Sequence, residues 1–418
     1  MAKGILNLKK DEFVKGSIIL FLMMNAFMFL NYLFHFSMAR MLGPADYGIL
    51  AVLMSIGYIF GILADAIQNI ISKYTSKSNI KKEYGKINNL LRKGLKKGAV
   101  LSLYIFIIYL AISIPLALIL KIDFLLLALT GVLIFSDLLA PISRGVLQGI
   151  KRFGRLGINM ILEGLIKVIF AFVLVLLGLK VYGAMSAVII SVFAAIFIAL
   201  FFLRDILKTK EKKCKTENIK FYSFSFIIAI LSITLMFSVD IILARLFFSP
   251  EILGKYAVAS ILGKMIFFGT VSISKSLFPF SSESHEKKEK TRKLLNKALG
   301  FLSLICIVSV LAFALFPKLI ILILFGKEYL EISNILIFMG LSFSVLSFTN
   351  LFVNYALSKD KQHFSFYLPI FVLIEISLLS IFSISLMQYA IAFLVSNILM
   401  LIGTVLLIKN EKRGKNGN

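Results

Sequence analysis

The feature that most constrains this chain is an internal repeat. A first pattern, Ala39-Arg40, Pro44, Gly48 and Ala51-Val52, returns in the same order about 205 residues later as Ala244-Arg245, Pro250, Gly254 and Ala257-Val258. Each copy lies where one long apolar run ends and the next begins. Two shorter matches keep nearly the same offset, Leu90-Leu91-x-Lys93-x-Leu95 with Leu294-Leu295-x-Lys297-x-Leu299, and Leu147 and Lys151 with Leu357 and Lys361. In a membrane protein, such a duplication predicts two bundles that move around a shared site.

The composition identifies a membrane protein and excludes several other classes. Hydrophobic residues make up 59% of the chain, charged residues only 16%, and the mean hydropathy is +0.95. The apolar runs reach about 20 residues, the length that crosses a bilayer as a helix. The net charge of +25 then indicates membrane topology and anionic lipid, and we expect no nucleic-acid partner. Cys214 lies in a lysine-rich link and Cys306 in an apolar run, so we expect no disulfide framework.

We predict an all-α polytopic protein with twelve transmembrane helices, and a first apolar run that is a retained helix rather than a signal peptide. The predicted spans are 16–39, 47–71, 98–120, 124–147, 158–179, 183–203, 222–246, 253–278, 299–325, 332–357, 364–384 and 387–408. Pro317 and Gly326 interrupt the pattern of the ninth and tenth spans. With twelve spans, most of the 46 Lys and Arg fall on the side that holds both termini. The positive-inside rule therefore places both termini in the cytoplasm.

The repeat also predicts how the two halves are related. Each half has six spans, so both enter the membrane in the same direction and form parallel six-helix bundles. The predicted domains are 1–210 and 211–418, joined by a lysine-rich link at 204–221. In the longer link 72–97, residues Ile80, Tyr84, Ile87, Leu91 and Leu95 share one helical face. This segment is either an interfacial amphipathic helix or a cytoplasmic extension of the third span.

Three motifs resemble those of the polysaccharide-export flippases of the multidrug/oligosaccharidyl-lipid/polysaccharide (MOP) exporter superfamily. They are Arg40-Met-Leu-Gly43-Pro44-Ala-Asp46-Tyr47-Gly48, Leu147-Gln-Gly149-x-x-Arg152-Phe153-Gly154 and Phe325-Gly326-x-Glu328-Tyr329. The resemblance covers nearly the whole chain. It implies a MOP-like fold and a protein that moves undecaprenyl- or dolichol-linked sugars to the outer leaflet. In the resembled family, spans 1 and 7 line the central cavity.

Cations within or near the spans are the candidates for substrate binding. A lipid-linked sugar carries phosphate or pyrophosphate, which Arg binds with a bidentate fork and Lys with a point charge. The predicted substrate-binding residues are Arg40, Arg245, Lys264, Lys167 and Arg144. For Arg40 and Arg245, the alternative is that the side chains extend to the lipid headgroups.

Intramembrane acids and a histidine are the candidates for ion coupling, because ionisable groups inside a span are costly and usually face a cavity or a partner. They are His35, Asp65, Asp137, Asp240, Glu163 and Glu375. The repeat places His35 opposite Asp240, and Glu163 within two residues of the position matching Glu375. Glu163 and Lys167 are also spaced for an ion pair within one helix. A packing role is the alternative for each residue, and the coupling ion, H⁺ or Na⁺, stays open.

These features favour one function over two alternatives. We expect a flippase for a polyprenyl-phosphate- or pyrophosphate-linked oligosaccharide, working by alternating access in the cell membrane as a monomer. The alternative is an ion-coupled exporter of drugs or other small molecules. An enzyme is disfavoured, because the outer loops are short and no nucleotide-binding loop, metal-ligand cluster or nucleophile–base pair is visible. No cofactor is expected, and the partners are the lipid-linked substrate and membrane lipids.

Overall fold

The structure, a computed structural model, describes residues 2–212, 224–286, 292–359 and 363–414. Within these ranges every regular element is helical. Half of the predicted link at 204–221, including Cys214, lies outside the described residues, and so does Lys361 of the repeat.

The first helix, α1, runs from Ala2 to Phe60 and contains two predicted spans. Its helical path is broken at Gly43, which has φ 71° and ψ 174°. A glycine accepts this positive φ without a steric penalty, and Pro44 then starts the next helical stretch with a fixed φ. The glycine-proline pair in the first copy of the repeat therefore sets the bend between the first two passes.

Six further helices lie before residue 212. They are α2 Ala64–Ile80, α3 Tyr84–Leu120, α4 Phe124–Gly149, α5 Phe153–Leu174, α6 Lys180–Phe202 and the single turn α7 Arg204–Leu207. The chain reverses between α5 and α6 through a short π-helical segment in which Gly178 has φ 86°. Lys180 also has a positive φ at this reversal, 45°.

Seven helices follow residue 224. They are α8 Phe224–Phe247, α9 Pro250–Glu286, α10 Arg292–Leu315, α11 Pro317–Leu324, α12 Leu336–Leu357, α13 Leu368–Ile381 and α14 Leu386–Gly414. The predicted ninth span, 299–325, is divided, because α10 ends at Leu315 and Pro317 begins α11. Proline lacks the amide hydrogen that would continue α10, whereas it suits the first turn of a new helix.

Ten described segments are long and apolar enough to cross a membrane. Two of them, Leu22–Ile80 with 59 residues and Phe153–Phe202 with 50, are each long enough for two passes. The breaks at Gly43 and Gly178 fall inside these two segments. The structure is therefore consistent with the predicted twelve passes.

Most of the amphipathic stretch of the link 72–97, from Tyr84 to Leu95, is part of α3 and not a separate interfacial helix, whereas Ile80 ends α2. Ile87 and Leu91 are completely buried. They belong to an apolar cluster with Val146 of α4 and with Leu203 and Ile206 beside α6. This face is thus covered by protein, while Ile80 is 80% exposed. The segment beyond α7 is bonded to the same helix, since the amide of Asn88 donates to the carbonyl oxygen of Thr209 at 2.7 Å.

Packing divides the chain into two compact units. Unit 1 comprises Met1–Leu42 and Phe60–Lys220, and unit 2 comprises Gly43–Ile59 and Phe221–Asn418. The predicted halves 1–210 and 211–418 divide the chain by its repeat, whereas these units divide it by contact. Residues 43–59 pack with unit 2 through the repeat itself, where Gly48 lies against Gly254.

Candidate functional site

Unit 1 contains a charged cluster that joins three helices. The Arg144 guanidinium of α4 forms an ion pair with Glu163 of α5, and its Nε donates to the Asn159 side-chain oxygen at 3.0 Å. The Asn159 amide in turn donates to the carbonyl oxygen of Ala195 on α6 at 2.6 Å. These charge-assisted and amide contacts tie α4, α5 and α6 together.

Lys167 lies one helical turn beyond Glu163 but has a different partner. Its ammonium donates to the side-chain oxygen of Asn31 on α1 and lies 5.2 Å from the centre of the Phe34 ring. The Asn31 amide nitrogen donates to the carbonyl oxygen of Phe27 at 2.8 Å, which turns the amide oxygen toward the lysine. Lys167 is 5% exposed. Glu163 therefore pairs with Arg144 and not with Lys167. The hydrogen-bond partner of Lys167 is the neutral Asn31.

The other unit 1 candidates occupy different environments. His35 is buried, Asp137 is half-buried, and Arg40 and Asp65 are exposed. Asp65 lies in the first turn of α2, where the helix dipole favours a carboxylate. The Asp137 carboxylate faces Gly61, since a Cβ built on that glycine would be 4.0 Å from the Asp137 Oδ1.

Unit 2 contains a second charged cluster, on α8, α9 and α13. Asp240 of α8 accepts hydrogen bonds from Ser260 at 2.7 Å and from Tyr256 at 3.2 Å. Its other oxygen lies 3.7 Å from the Lys264 ammonium. Tyr256, Ser260 and Lys264 follow one another at four-residue spacing on α9, so they share the face that meets Asp240. Glu375 of α13 is completely buried and close enough to interact electrostatically with Asp240 and Lys264.

Arg245 is half-buried near the end of α8. The predicted pairs His35 with Asp240 and Arg40 with Arg245 each combine one residue of unit 1 with one of unit 2. Those pairings, and the assignment of roles to all these residues, stay predictions.

Sequence reasoning missed the neutral partners of these charges. Asn31 and Asn159 are amides inside apolar runs, and Tyr256 and Tyr389 carry hydroxyls near the starts of two others. A polar side chain in a span needs a partner there, and this signal could have identified them. Tyr389 of α14 donates to the backbone oxygen of Asp240 at 2.7 Å.

The motifs that carry the family resemblance shape the backbone. Arg152 donates to the carbonyl oxygen of Phe202 at 3.0 Å and to Asp205 at 2.8 Å, closing the C-terminal end of α6. The hydrogen bond from Arg152 lowers the pKa of the Asp205 carboxyl. Gly326 has φ 104° at the turn after α11, and the Tyr329 that follows is buried against Tyr47 with 6.5 Å between ring centres.

No group of three or more His, Cys, Asp or Glu side chains that could hold a metal ion occurs in the described part of the chain. Both clusters instead combine one or two carboxylates with a lysine or arginine. Such arrangements can bind an anion, carry a proton or hold helices together.

Comparisons with known proteins agree with this architecture. The sequence profile of a family described as "Polysaccharide biosynthesis protein" matches residues 13–285. None of the curated proteins matches the chain in sequence.

Several solved structures share the fold at low sequence identity. An inward-facing multidrug resistance MATE family transporter of the MOP superfamily is 15% identical, with 91% of this chain and 95% of that chain covered and a TM-score of 0.72. The lipid II flippase MurJ in an inward closed conformation is 17% identical, with 95% and 87% covered and a TM-score of 0.65. A MOP superfamily transporter from Pyrococcus furiosus is 14% identical, with 96% of each chain covered and a TM-score of 0.54. The chain therefore has the MOP fold, as its motifs predicted.

Proposed function

Since the chain belongs to the polysaccharide biosynthesis protein family, we propose that it is a flippase for a polyprenyl-phosphate- or pyrophosphate-linked oligosaccharide. It moves this substrate from the cytoplasmic to the outer leaflet by alternating access. The similarity in fold to a lipid II flippase supports a lipid-linked substrate.

The observation that carries this proposal is the position of Lys167. It is a buried cation inside a transmembrane helix, and its hydrogen-bond partner is the neutral Asn31. Placing a lysine in the middle of a span costs about 2.5–3.5 kcal/mol on insertion scales. A lysine kept there with no carboxylate salt bridge from the described residues is well suited to receive an anionic group of the substrate.

Arg144 and Glu163 define how much positive charge this region offers. Because Arg144 and Glu163 bond to each other, Lys167 is the member of the three whose hydrogen-bond partner is neutral. The substrate phosphate would replace Asn31 as the lysine's partner, and Arg144 would add a second donor if its pair with Glu163 opened. The polyprenyl tail stays in the lipid, so the protein needs to shield only the charged headgroup and the sugar.

The direction of transport follows from the proposed topology. Most Lys and Arg lie on the side of the two termini, which the positive-inside rule assigns to the cytoplasm of a cell membrane. Lipid-linked sugars that are assembled on the cytoplasmic side reach the protein through the cytoplasmic leaflet. The links of the protein that are rich in Lys and Arg lie on that same side. A monomer of two bundles suffices for this cycle.

The proposal is tested by flipping in proteoliposomes. The probe is a fluorophore-labelled undecaprenyl-pyrophosphate-linked N-acetylhexosamine, and its arrival in the outer leaflet is measured by quenching from outside. Losing one charge-assisted contact costs about 1.5–3 kcal/mol, so we expect Lys167→Met to slow flipping by about tenfold or more. Lys167→Arg, which keeps the charge, should retain most of the activity.

Lys97→Ala is the matched control, because it removes one positive charge from an exposed position of α3. It should flip the probe at the wild-type rate. Equal rates for wild type, Lys167→Met and Lys97→Ala would refute the role of Lys167. A wild-type protein that moves no pyrophosphate-linked sugar would refute the proposed function.

An ion-coupled exporter of drugs or other small molecules is the second candidate. The observation that favours it is the pair of buried carboxylates Asp240 and Glu375, since intramembrane acids suit cationic cargo and coupling ions. The similarity in fold to a multidrug resistance MATE transporter also supports it. Export of ethidium from cells that express the protein, undiminished in Lys167→Met, would favour this candidate over the flippase.

A further inference from the structure

Three ionisable side chains of unit 2 form a group that is closed to solvent, called here the Asp240–Lys264–Glu375 triad. Asp240 and Glu375 are 0% exposed and Lys264 is 1% exposed. They come from three helices, α8, α9 and α13, and none of the three is used by the substrate contact proposed for Lys167.

The hydrogen bonds of the triad are unevenly distributed. Asp240 accepts from Tyr256 and Ser260 through one carboxylate oxygen. Its other oxygen, the Lys264 ammonium and both oxygens of Glu375 have no hydrogen-bond partner among the described residues. Among the described residues, Asp240 is therefore the acid of the two whose negative charge receives hydrogen bonds, and Glu375 is the one that receives none.

Aromatic rings complete the surroundings of the lysine. The Lys264 ammonium lies 3.7 Å from Asp240, 4.8 Å from the centre of the Phe237 ring and 5.9 Å from that of Phe343. The faces of aromatic rings attract a cation. Phe343 is the contact from α12, and its side chain has no titratable group. Among the described residues outside the triad, Tyr256 of α9 and Tyr389 of α14 are the ionisable side chains that bond to Asp240.

With all three members ionised, the triad would carry a net charge of −1 at a place that is closed to solvent. An uncompensated buried charge is strongly unfavourable, and one bound proton removes it. We propose that the triad is a site for one exchangeable proton, held by Glu375, with Lys264 and Asp240 as a fixed ion pair beside it.

The same geometry argues against a metal ion at this place. A hard cation such as Na⁺ needs several oxygen ligands at close range. Here the ammonium of Lys264 already lies beside the Asp240 oxygen that could contribute one, and two positive charges at such distances repel each other. Lys264 is thus a built-in counter-ion of the acids rather than a substrate contact.

This inference rests on the proposed transport function in one respect, since it identifies the proton as the coupling ion. Uptake forms the O–H bond of the Glu375 carboxyl, and release returns that proton to water when the triad opens to one side. A pH gradient would then drive the cycle, whereas a sodium gradient would not.

The protonated carboxyl can be observed without any substrate. Infrared spectra of the full-length protein in liposomes, at neutral pH, should contain the C=O stretch of a buried carboxylic acid that Glu375→Gln removes. Lys264→Met leaves Asp240 and Glu375 without a neighbouring cation. The C=O stretch of a second protonated carboxylic acid should therefore appear in the spectrum. Glu251→Gln, at an exposed position in the first turn of α9, is the matched control and should leave the spectrum unchanged.

Transport supplies the second measurement. A pH gradient should accelerate flipping of the labelled pyrophosphate-linked sugar by the wild type but not by Glu375→Gln, and NaCl in place of KCl should change neither rate. The proton site would be overturned if the wild-type spectrum contained no carboxylic-acid band that Glu375→Gln removes. It would also be overturned if the rate of flipping depended on the sodium concentration. If the band behaves as expected but no sugar is flipped, the proton site stands and the proposed substrate fails.

Discussion

Gly48 and Gly254, which hold the same position in the two copies of the repeat, are in backbone contact. A Cβ built on Gly48 would lie 2.8 Å from the Gly254 nitrogen, and one built on Gly254 would lie 1.7 Å from the Pro44 oxygen. Any side chain at either position would therefore collide with main-chain atoms. Each copy of the repeat contributes a glycine to this contact, and the absence of a side chain on both glycines lets the two backbones approach.

A methyl group at this contact should force α1 and α9 apart. We expect Gly254→Ala to destabilise unit 2 by about 1–3 kcal/mol, the usual cost of overpacking, because backbone atoms cannot move aside locally. Gly269→Ala is the matched control on the same helix, since nothing lies within 4 Å of its Cβ. It should be neutral or slightly stabilising, because alanine is the better helix former. Thermal unfolding in detergent measures both, and equal midpoints would contradict the importance of the contact.

The ion pair between Arg144 and Glu163 should show strong coupling. Its side chains are 15% and 10% exposed, so removing one partner leaves a charge largely buried. We expect Glu163→Gln or Arg144→Met alone to cost about 3 kcal/mol. The double variant should cost less than the sum of the two, as a double-mutant cycle on unfolding would measure. Additive effects would show that the two residues act independently.

The contact between Arg152 and Asp205 should make stability depend on acid pH. The pKa of Asp205 is lowered in the folded protein by the hydrogen bond from Arg152. The pair therefore stabilises the fold above the unfolded-state pKa of Asp205, and this contribution is lost as pH falls through the lower folded-state value.

Asp205→Asn isolates this contribution. Because Asp205 is 49% exposed, solvent screening keeps the effect below about 1 kcal/mol. The difference in unfolding midpoint between wild type and Asp205→Asn should be present at neutral pH and should shrink as the pH falls below about 4, the ordinary pKa of an aspartate. A difference that is independent of pH would point to packing instead of charge.

The N-terminal end of α3 should behave as part of the hydrophobic core. Leu91 is completely buried in the cluster with Val146 and Leu203, so Leu91→Ala should lower stability by about 2–5 kcal/mol. Ile80→Ala is the control, because Ile80 is 80% exposed. An interfacial amphipathic helix would give the opposite result, in which Leu91→Ala weakens the attachment to lipid and leaves unfolding unchanged.

Local features of the sequence were sufficient for the helical architecture. The length of each apolar run predicted the passes, Gly43 and Pro44 marked the first bend, and Pro317 marked the interruption after α10. These predictions succeeded because helix formation in a membrane depends on hydrophobicity and backbone preference, which a short stretch of chain carries by itself. The repeat and the motifs then indicated the MOP fold.

The charges show where sequence reasoning stopped. Their positions inside the spans were evident, but the spacing of Glu163 and Lys167 suggested a partner that the fold does not use. Glu163 instead pairs with Arg144, and Lys167 reaches Asn31, which is 136 positions away. Lys264 lies buried beside Asp240, a contact that the sequence did not indicate, and its role in substrate binding stays a prediction.

The sequence by itself thus determined which residues are helical, where the chain bends and which ionisable groups enter the membrane. Only the tertiary structure decided which of those groups meet, and that Gly48 touches Gly254. The physical reason is that helix periodicity defines a face but not the neighbour that covers it. Contacts between helices depend on packing and on satisfying each buried charge, and these conditions involve segments that are far apart in the chain.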